Sequence, residues 1–264
     1  LQQTGRHVQY SNLSEVSPAM IKWNGWHVTV LTAAAERLFK KRGRRMLNSL
    51  DIGALHQRTL IPRCKAFFLD FKPLAELRAQ YPDLTMSWLM DPDYLGTAET
   101  LATVPDNSMD VVIMSHVREH PRQPLRALRN ALRVARKDAI IFIAMPDVCL
   151  TFDALRLLTP WSHHVEEWFD DGAADRNEYE HQREFGLASA HVSGIRNRSR
   201  VDFTGVEAQA AKMLPGIHYH TWTPTSWHEF ITRAVEEIRM PVVVMQSTGS
   251  KIHSNTIYTI LRRL

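Results

Sequence analysis

Cysteine is almost missing from this chain: Cys64 and Cys149 are the only two in 264 residues. A disulfide-held scaffold is thereby excluded, and two thiols cannot by themselves complete a tetrahedral zinc site. Long apolar runs are missing too. The longest, Ala139 to Met145, falls far short of the ~20 residues a membrane span needs. Glycine is sparse at 11 residues, and the G-x-G-x-x-G signature of pyrophosphate-binding loops does not occur. The opening LQQTGRHVQY has neither an initiator Met nor an apolar signal core. The expectation is a cytoplasmic protein, trimmed or cut from a longer chain. Charge of either sign is close to balance, with 32 Lys and Arg against 28 Asp and Glu. Hydrophobic residues make up 44% of the chain, enough for a folded core.

The one dense basic run is Lys40, Lys41, Arg42, Arg44 and Arg45. Such a run can grip phosphate or nucleic acid. It also suits the solvated C-terminal end of a helix, where cations meet the negative end of the dipole. The second reading is taken, and no nucleic-acid partner is expected.

Residues 1–25 read as polar and irregular, with Trp23 and Trp26 as anchors. LTAAAERLFKK (31–41) has helical spacing, and the N-terminal segment 1–45 is set apart on this basis. Then strand and helix patterns alternate. MLNSLDIGA reads as a strand ending at Gly53, AFFLDF (66–71) as a second, and LAELRAQY (74–81) as a helix. MDVVIMS (109–115) is a β-branched strand, PLRALRNALRVA (124–135) a helix and AIIFIAMP (139–146) a buried strand. This alternation predicts a parallel sheet with helices on both faces over 46–147. Residues 148–222 break the rhythm and are rich in His, Asp, Glu, Arg and Trp, as expected of a lid insertion that binds an acceptor. From 223 to 264 the pattern returns. Thr223-Pro224 starts a helix with one apolar face, and PVVVMQ and NTIYTILRRL read as a closing antiparallel hairpin.

In parallel α/β sheets, ligands bind at the carboxyl ends of the strands. The first strand is followed by Asp51-Ile52-Gly53-Ala54, and Asp70 ends the second, 19 positions after Asp51. That spacing is near the ~20 at which an acid meets ribose hydroxyls in dinucleotide sites. With no glycine-rich loop, a cofactor with ribose but no pyrophosphate fits better. S-adenosylmethionine is such a molecule.

The stretch 94–147 resembles class I S-adenosylmethionine-dependent methyltransferases of the type 11 kind. It carries Thr97-Ala98-Glu99, then Met109-Asp110-Val111-Val112, His116-Val117-Arg118-Glu119-His120, Arg133-Val134 and Met145-Pro146-Asp147. A narrower likeness is to a saccharide and small-molecule branch found beside glycosyltransferases. It rests on Asp51 to Ala54, Pro62, Asp70, Leu77-Arg78, Tyr81-Pro82, Thr151-Phe152-Asp153, Arg156, Thr159, Ser162-His163 and His220-Thr221-Trp222-Thr223-Pro224. The resemblance implies an α/β fold: a Rossmann-like sheet, mostly parallel, with a C-terminal antiparallel hairpin. It implies that Asp51, Gly53 and Ala54 lie under the methionine end, Asp70 takes the ribose, Ala98 and Glu99 meet the adenine, and Ser115 and His116 form the floor. S-adenosylhomocysteine is the implied product. Leu55 and Gln57 stand where the family carries further glycines, and Thr97 where it carries an acid.

Thirteen histidines are many for this length. His116-x-x-Glu119-His120 could present two imidazoles on one helical face, but the resemblance implies a loop-fixing role there, and no metal is expected. Methyl transfer to a hydroxyl benefits from a base of near-neutral pKa. His163 is the first candidate, with His116 and His120 beside it. Asp153, Arg156, His164, His220 and Tyr219 are expected to hold the acceptor, and Trp161 and Trp222 can stack on a ring. The reading is a methyltransferase acting on a hydroxyl, less readily an amine, of a saccharide or other small metabolite. Its alternative is an inactive methyltransferase-like domain that serves a partner. A neighbouring domain or a homodimer fits either reading.

Overall fold

The strands expected from apolar runs sit at the centre of one sheet because those runs are buried on both faces, as parallel strands are. The structure, a computed structural model, describes residues 26–55, 58–82, 89–201, 203–213, 216–249 and 255–264. Trp23 and Gln57 therefore lie outside the described residues, as does part of the loop before the last strand. Among the described residues the strands are β1 (Leu47–Ile52), β2 (Cys64–Asp70), β3 (Tyr94–Leu95), β4 (Met109–Ser115), β5 (Ala135–Pro146), β6 (Val242–Thr248) and β7 (Thr256–Arg263). Their order is β3-β2-β1-β4-β5-β7-β6. Pairing is parallel from β3 to β5, and β7 runs antiparallel to both β5 and β6. This is the mostly parallel, Rossmann-like sheet with a closing antiparallel pair that the sequence predicts.

Alternation along the strands divides the core in two. Val112 and Met114 of β4, with Ile141 and Ile143 of β5, meet the leucines of α3 (Pro124–Val134) and the aromatic face of α7 (Pro224–Glu236). Val111, Ile113, Ile140, Phe142 and Ala144 face the other way, onto Leu31, Ala35 and Leu38 of α1 (Trp26–Lys41). Each fully buried aliphatic side chain of this kind is worth ~1.5–3 kcal/mol. The short α2 (Leu74–Gln80) lies between β2 and β3 and buries Leu77.

Local chemistry sets the helix ends. Pro124 opens α3, where a missing N–H costs nothing. The Thr223 hydroxyl accepts the Ser226 N–H while the Ser226 hydroxyl accepts the Thr223 N–H, a reciprocal cap that starts α7 as expected. The basic run closes α1. Lys41 pairs with Asp138 at 2.9 Å and Arg42 donates to the Lys137 carbonyl, so part of its charge is spent inside the molecule.

Among the described residues, 148–222 carry no strand. They hold two 3-10 turns, then α4 (Trp161–Phe169), α5 (Ala173–Asn197) and α6 (Val206–Lys212). Phe185, Ala210, Ile217 and Tyr219 form a small core of their own there. Gly186 lets α5 and α6 touch: a Cβ on it would stand 2.5 Å from the Val206 carbonyl oxygen. No helix among the described residues is long and apolar enough to cross a membrane.

Several element boundaries differ from the sequence reading, and one strand was not read. α1 starts at Trp26 rather than Leu31, and β5 starts at Ala135 rather than Ala139 because the chain passes from α3 straight into the strand. The two-residue β3 is too short to leave a period in the sequence.

Candidate active site

A cleft of about 300 Å³ opens over the carboxyl ends of the parallel strands. Strand order reverses between β1 and β4, the position where open α/β sheets bind ligands. The turn after β1 contributes Gly53 and Leu55. Gly53 has φ +64°, and a Cβ there would meet Val117 Cγ2 at 3.0 Å, so conformation and space both call for glycine. Leu55 also takes a left-handed conformation, at φ +45°. That costs a residue with a Cβ ~1–2 kcal/mol.

Asp70 ends β2 and lines the cleft, with Oδ1 accepting the Phe71 N–H at 2.8 Å. Burial raises its pKa to about 6, opposed by that hydrogen bond. Phe71 and Tyr81 lie beside it, and Gly96, Thr97, Ala98 and Glu99 form the neighbouring wall. Glu99 also accepts the Gln123 N–H at 3.1 Å, tying this wall to the start of α3.

The turn after β4 supplies the opposite end of the cleft. His116 has φ +53°, and Glu119 is buried between His116 and His120, at 3.6 Å and 4.0 Å. Burial would raise the Glu119 pKa, but the His116 hydrogen bond and the His120 and His218 charges outweigh it and bring it to about 2. His120 Nδ1 stands 2.9 Å from the Ile217 carbonyl oxygen. A carbonyl only accepts, so Nδ1 carries the hydrogen and Nε2 is left with its lone pair. Burial lowers the His120 pKa, against the pull of Glu119, and favours the neutral ring. Arg122 reaches the cleft but is held by Asp175 at 2.7 Å and Glu178 at 2.8 Å. Tyr219 donates its hydroxyl to Glu178, and Gly216 lies close by on the rim.

Of the residues singled out from the sequence, the structure thus gathers Gly53, Asp70, Ala98, Glu99, His116, His120 and Tyr219 around one cleft. It places others elsewhere. Asp51 is buried behind the wall, accepting the Thr59 N–H at 2.7 Å, and burial raises its pKa to about 7. Ala54 faces a small neighbouring hollow with Arg58 and Met90. Ser115 ends β4 in register with Ala144 and does not line the cleft. His163 is not in the cleft lining either, because it stands 3.0 Å from Glu167. His164 is buried on Trp222, with ring centroids 5.6 Å apart. His220 stands 3.3 Å from Glu167. Asp153 and Arg156 pair with each other at 3.1 Å, and Arg156 donates to the His218 and Tyr219 carbonyls. Their charges are consumed in fixing the 216–220 segment rather than offered to an acceptor. The His116 to His120 segment is a turn, so its two imidazoles do not share a helix face.

Lining residues not singled out as site residues include Leu55, Phe71, Tyr81 and Arg122. Phe71 and Tyr81 had a usable signal, since both follow the acid-ended strand within one helix. Arg122 had none, because its approach depends on α5.

Residues 63–143 match the family model described as a methyltransferase domain. The match runs from the start of β2 into β5 and omits the turn around Gly53 and Leu55. It supports a methyltransferase domain in this part of the chain. No curated protein matches the sequence. Among solved structures, the chain is similar to the CurJ carbon methyltransferase, at 11% identity and a TM-score of 0.45. That alignment covers 93% of this chain and 57% of that one, so this chain spans little more than half of its length. It is also similar to a Rhodobacter sphaeroides protein provisionally named among zinc-dependent alcohol dehydrogenases, at 14% identity and TM-score 0.47, covering 83% and 84% of the two chains. A SAM-dependent methyltransferase from Aquifex aeolicus gives 11% identity and TM-score 0.42, covering 93% and 97%. These are likenesses of overall shape.

Proposed function

We propose that this cleft moves a methyl group from S-adenosylmethionine to a hydroxyl of a small, uncharged metabolite, a saccharide being the acceptor class that fits best. The residues suit the donor. Asp70 offers a carboxylate to a vicinal diol, Gly53 leaves the space that a side chain would fill, and Thr97 to Glu99 with Phe71 and Tyr81 frame a slot for a planar base. Bound there, the sulfonium supplies an electrophilic methyl group for in-line displacement.

The chain's own work is then positioning and proton removal, of which positioning is the larger part. The single observation that carries the proposal is the contact of His120 Nδ1 with the Ile217 carbonyl. It fixes the tautomer that leaves Nε2 able to accept a proton, in a residue that lines the cleft opposite Asp70. His116 shares Glu119 with it and orients the same turn. Among the described residues, the acceptor end offers no spare cation, because Asp175 and Glu178 neutralise Arg122. A hydroxylated neutral acceptor suits it better than a carboxylate or phosphate. Tyr219 adds an aromatic wall of the kind that packs on a sugar face.

The test is turnover of labelled S-adenosylmethionine against a panel of free and nucleotide-linked saccharides and simple alcohols. His120→Gln is expected to lower kcat by about 100-fold or more while donor affinity changes little. A variant as active as the parent, or a panel with no acceptor, would remove His120 or the acceptor class from the reading.

A further inference from the structure

The densest group of metal-binding side chain types in the insertion does not belong to the cleft. His163 and Glu167 lie at i and i+4 on α4 and share a face. His181 comes from α5, and His220 from the segment leading into α7. His163 Nε2 is 3.0 Å from Glu167 Oε1, and His181 Nε2 is 3.3 Å from the same oxygen. The two imidazole nitrogens stand 3.3 Å apart. His220 Nε2 is 3.3 Å from Glu167 Oε2. Glu167, His181 and His220 are buried, and only His163 reaches solvent.

His163, His181 and Glu167 Oε1 thus make one triangular face with edges of 3.0–3.3 Å, His220 approaches the other carboxylate oxygen, and all four ligand atoms lie within 4.8 Å of one another. Zinc ligands at 2.0–2.1 Å in tetrahedral array stand about 3.3 Å from one another. Two ring nitrogens that face each other and also face one carboxylate oxygen are poorly used by hydrogen bonds alone, since a line between them holds one hydrogen. A cation at the centre uses all four lone pairs. Three imidazoles and a carboxylate form a donor set that zinc takes readily.

We propose that His163, Glu167, His181 and His220 form a four-ligand site for a divalent transition-metal ion, with zinc the best fit. All four positions are filled by the chain, so the site is closed and structural, with no coordination position left for water or substrate. His220 Nε2 turns its lone pair to the ion and gives up its contact with the Arg122 carbonyl at 3.1 Å. Its hydrogen passes to Nδ1, which has no other partner. The ion would pin α4, α5 and the 217–222 segment to one point, and that segment carries Tyr219 into the cleft. The proposal does not depend on the reading of the cleft.

The test uses the whole chain and zinc itself. The protein is stripped with a chelator, then titrated with zinc while bound metal and thermal unfolding are followed. A cobalt titration reports tetrahedral geometry through its visible absorption. One zinc per chain is expected, with a rise in unfolding temperature and a tetrahedral cobalt spectrum. His181→Ala and Glu167→Gln should each weaken binding by at least about tenfold. Glu167→Gln keeps the side chain's size, so it serves if His181→Ala does not fold. Glu119, His120 and His218 form a second group with ligand atoms within 4.8 Å of one another, and His218→Ala controls for it. Zinc binding lost in His218→Ala but kept in Glu167→Gln would overturn the proposal. So would a wild-type chain that binds no zinc, which would leave Glu167 as a carboxylate held by His163, His181 and His220 alone.

Discussion

Donor affinity should follow the ionisation of Asp70. Its carboxyl has a pKa of about 6 without ligand because burial penalises the charge. A vicinal diol gives its hydrogens to the ionised form, so binding selects the carboxylate. At pH 7 about 90% of Asp70 is ionised and at pH 5 about 10%, from the ordinary titration relation. Affinity for S-adenosylmethionine should therefore fall by up to about tenfold between these two values. Asp70→Asn keeps size and one acceptor but cannot ionise. It should bind more weakly at pH 7, losing ~1.5–3 kcal/mol for a hydrogen bond to a charged group, and its affinity should be nearly flat from pH 5 to 7. Calorimetric titration of both proteins across this range is the assay. Asp51 titrates nearby, at about 7, so Asp51→Asn is run beside them. A pH dependence that persists unchanged in Asp70→Asn would refute the placement of the ribose on Asp70.

Asp51 itself predicts a stability effect. Its pKa rises from 3.8 to about 7 on folding, chiefly through burial, so the folded state prefers the neutral acid. Stability is then greatest below pH ~4 and falls as pH rises through ~7, by up to about 4 kcal/mol. Asp51→Asn, which still accepts the Thr59 N–H, should unfold at a higher temperature than the parent at pH 8 and at a similar one at pH 4. Leu55→Gly should cost less than ~1 kcal/mol in urea unfolding, because relief of the left-handed strain offsets the lost side chain. Leu50→Ala, in the core, should cost ~2–5 kcal/mol. Gly186→Ala should cost ~1–3 kcal/mol by forcing α5 away from Val206, seen as faster amide exchange in 173–213 and not in β4 or β5.

Much of the sheet could be read from the sequence because its strands are continuous apolar runs. MDVVIMS and AIIFIAMP need no partner to declare themselves, and Thr223-Pro224 announces α7 by local capping alone. The placing of Gly53 and Asp70 on the cleft was legible for the same reason: they sit at strand ends, and strand ends are local facts. The acceptor half was not. His163, Asp153 and Arg156 have the residue types of an acceptor site, yet each is consumed by partners within the insertion. Arg156 reaches the carbonyls of His218 and Tyr219, 62 and 63 positions away. Whether a polar side chain faces a ligand or a neighbour depends on such pairings, and no periodicity records them.

Among the described residues, the insertion meets the cleft at Gly216 and Tyr219, while the other lining residues come from the span 52–122. Those two are set in place from three sides: by Arg156 from within the insertion, by the Glu119 carbonyl that accepts the Tyr219 N–H at 2.8 Å, and by His120 at Ile217. The insertion thus addresses the cleft through one short stretch of backbone and through the α5 carboxylates that hold Arg122. On the proposed reading, variation in α4, α5 or α6 would act on acceptor choice mainly through these contacts, while α4 also touches Gln123 beside the proposed donor wall. A lineage could exchange much of this insertion, provided it kept the anchors of that stretch, and inherit a new acceptor together with an unaltered methyl donor.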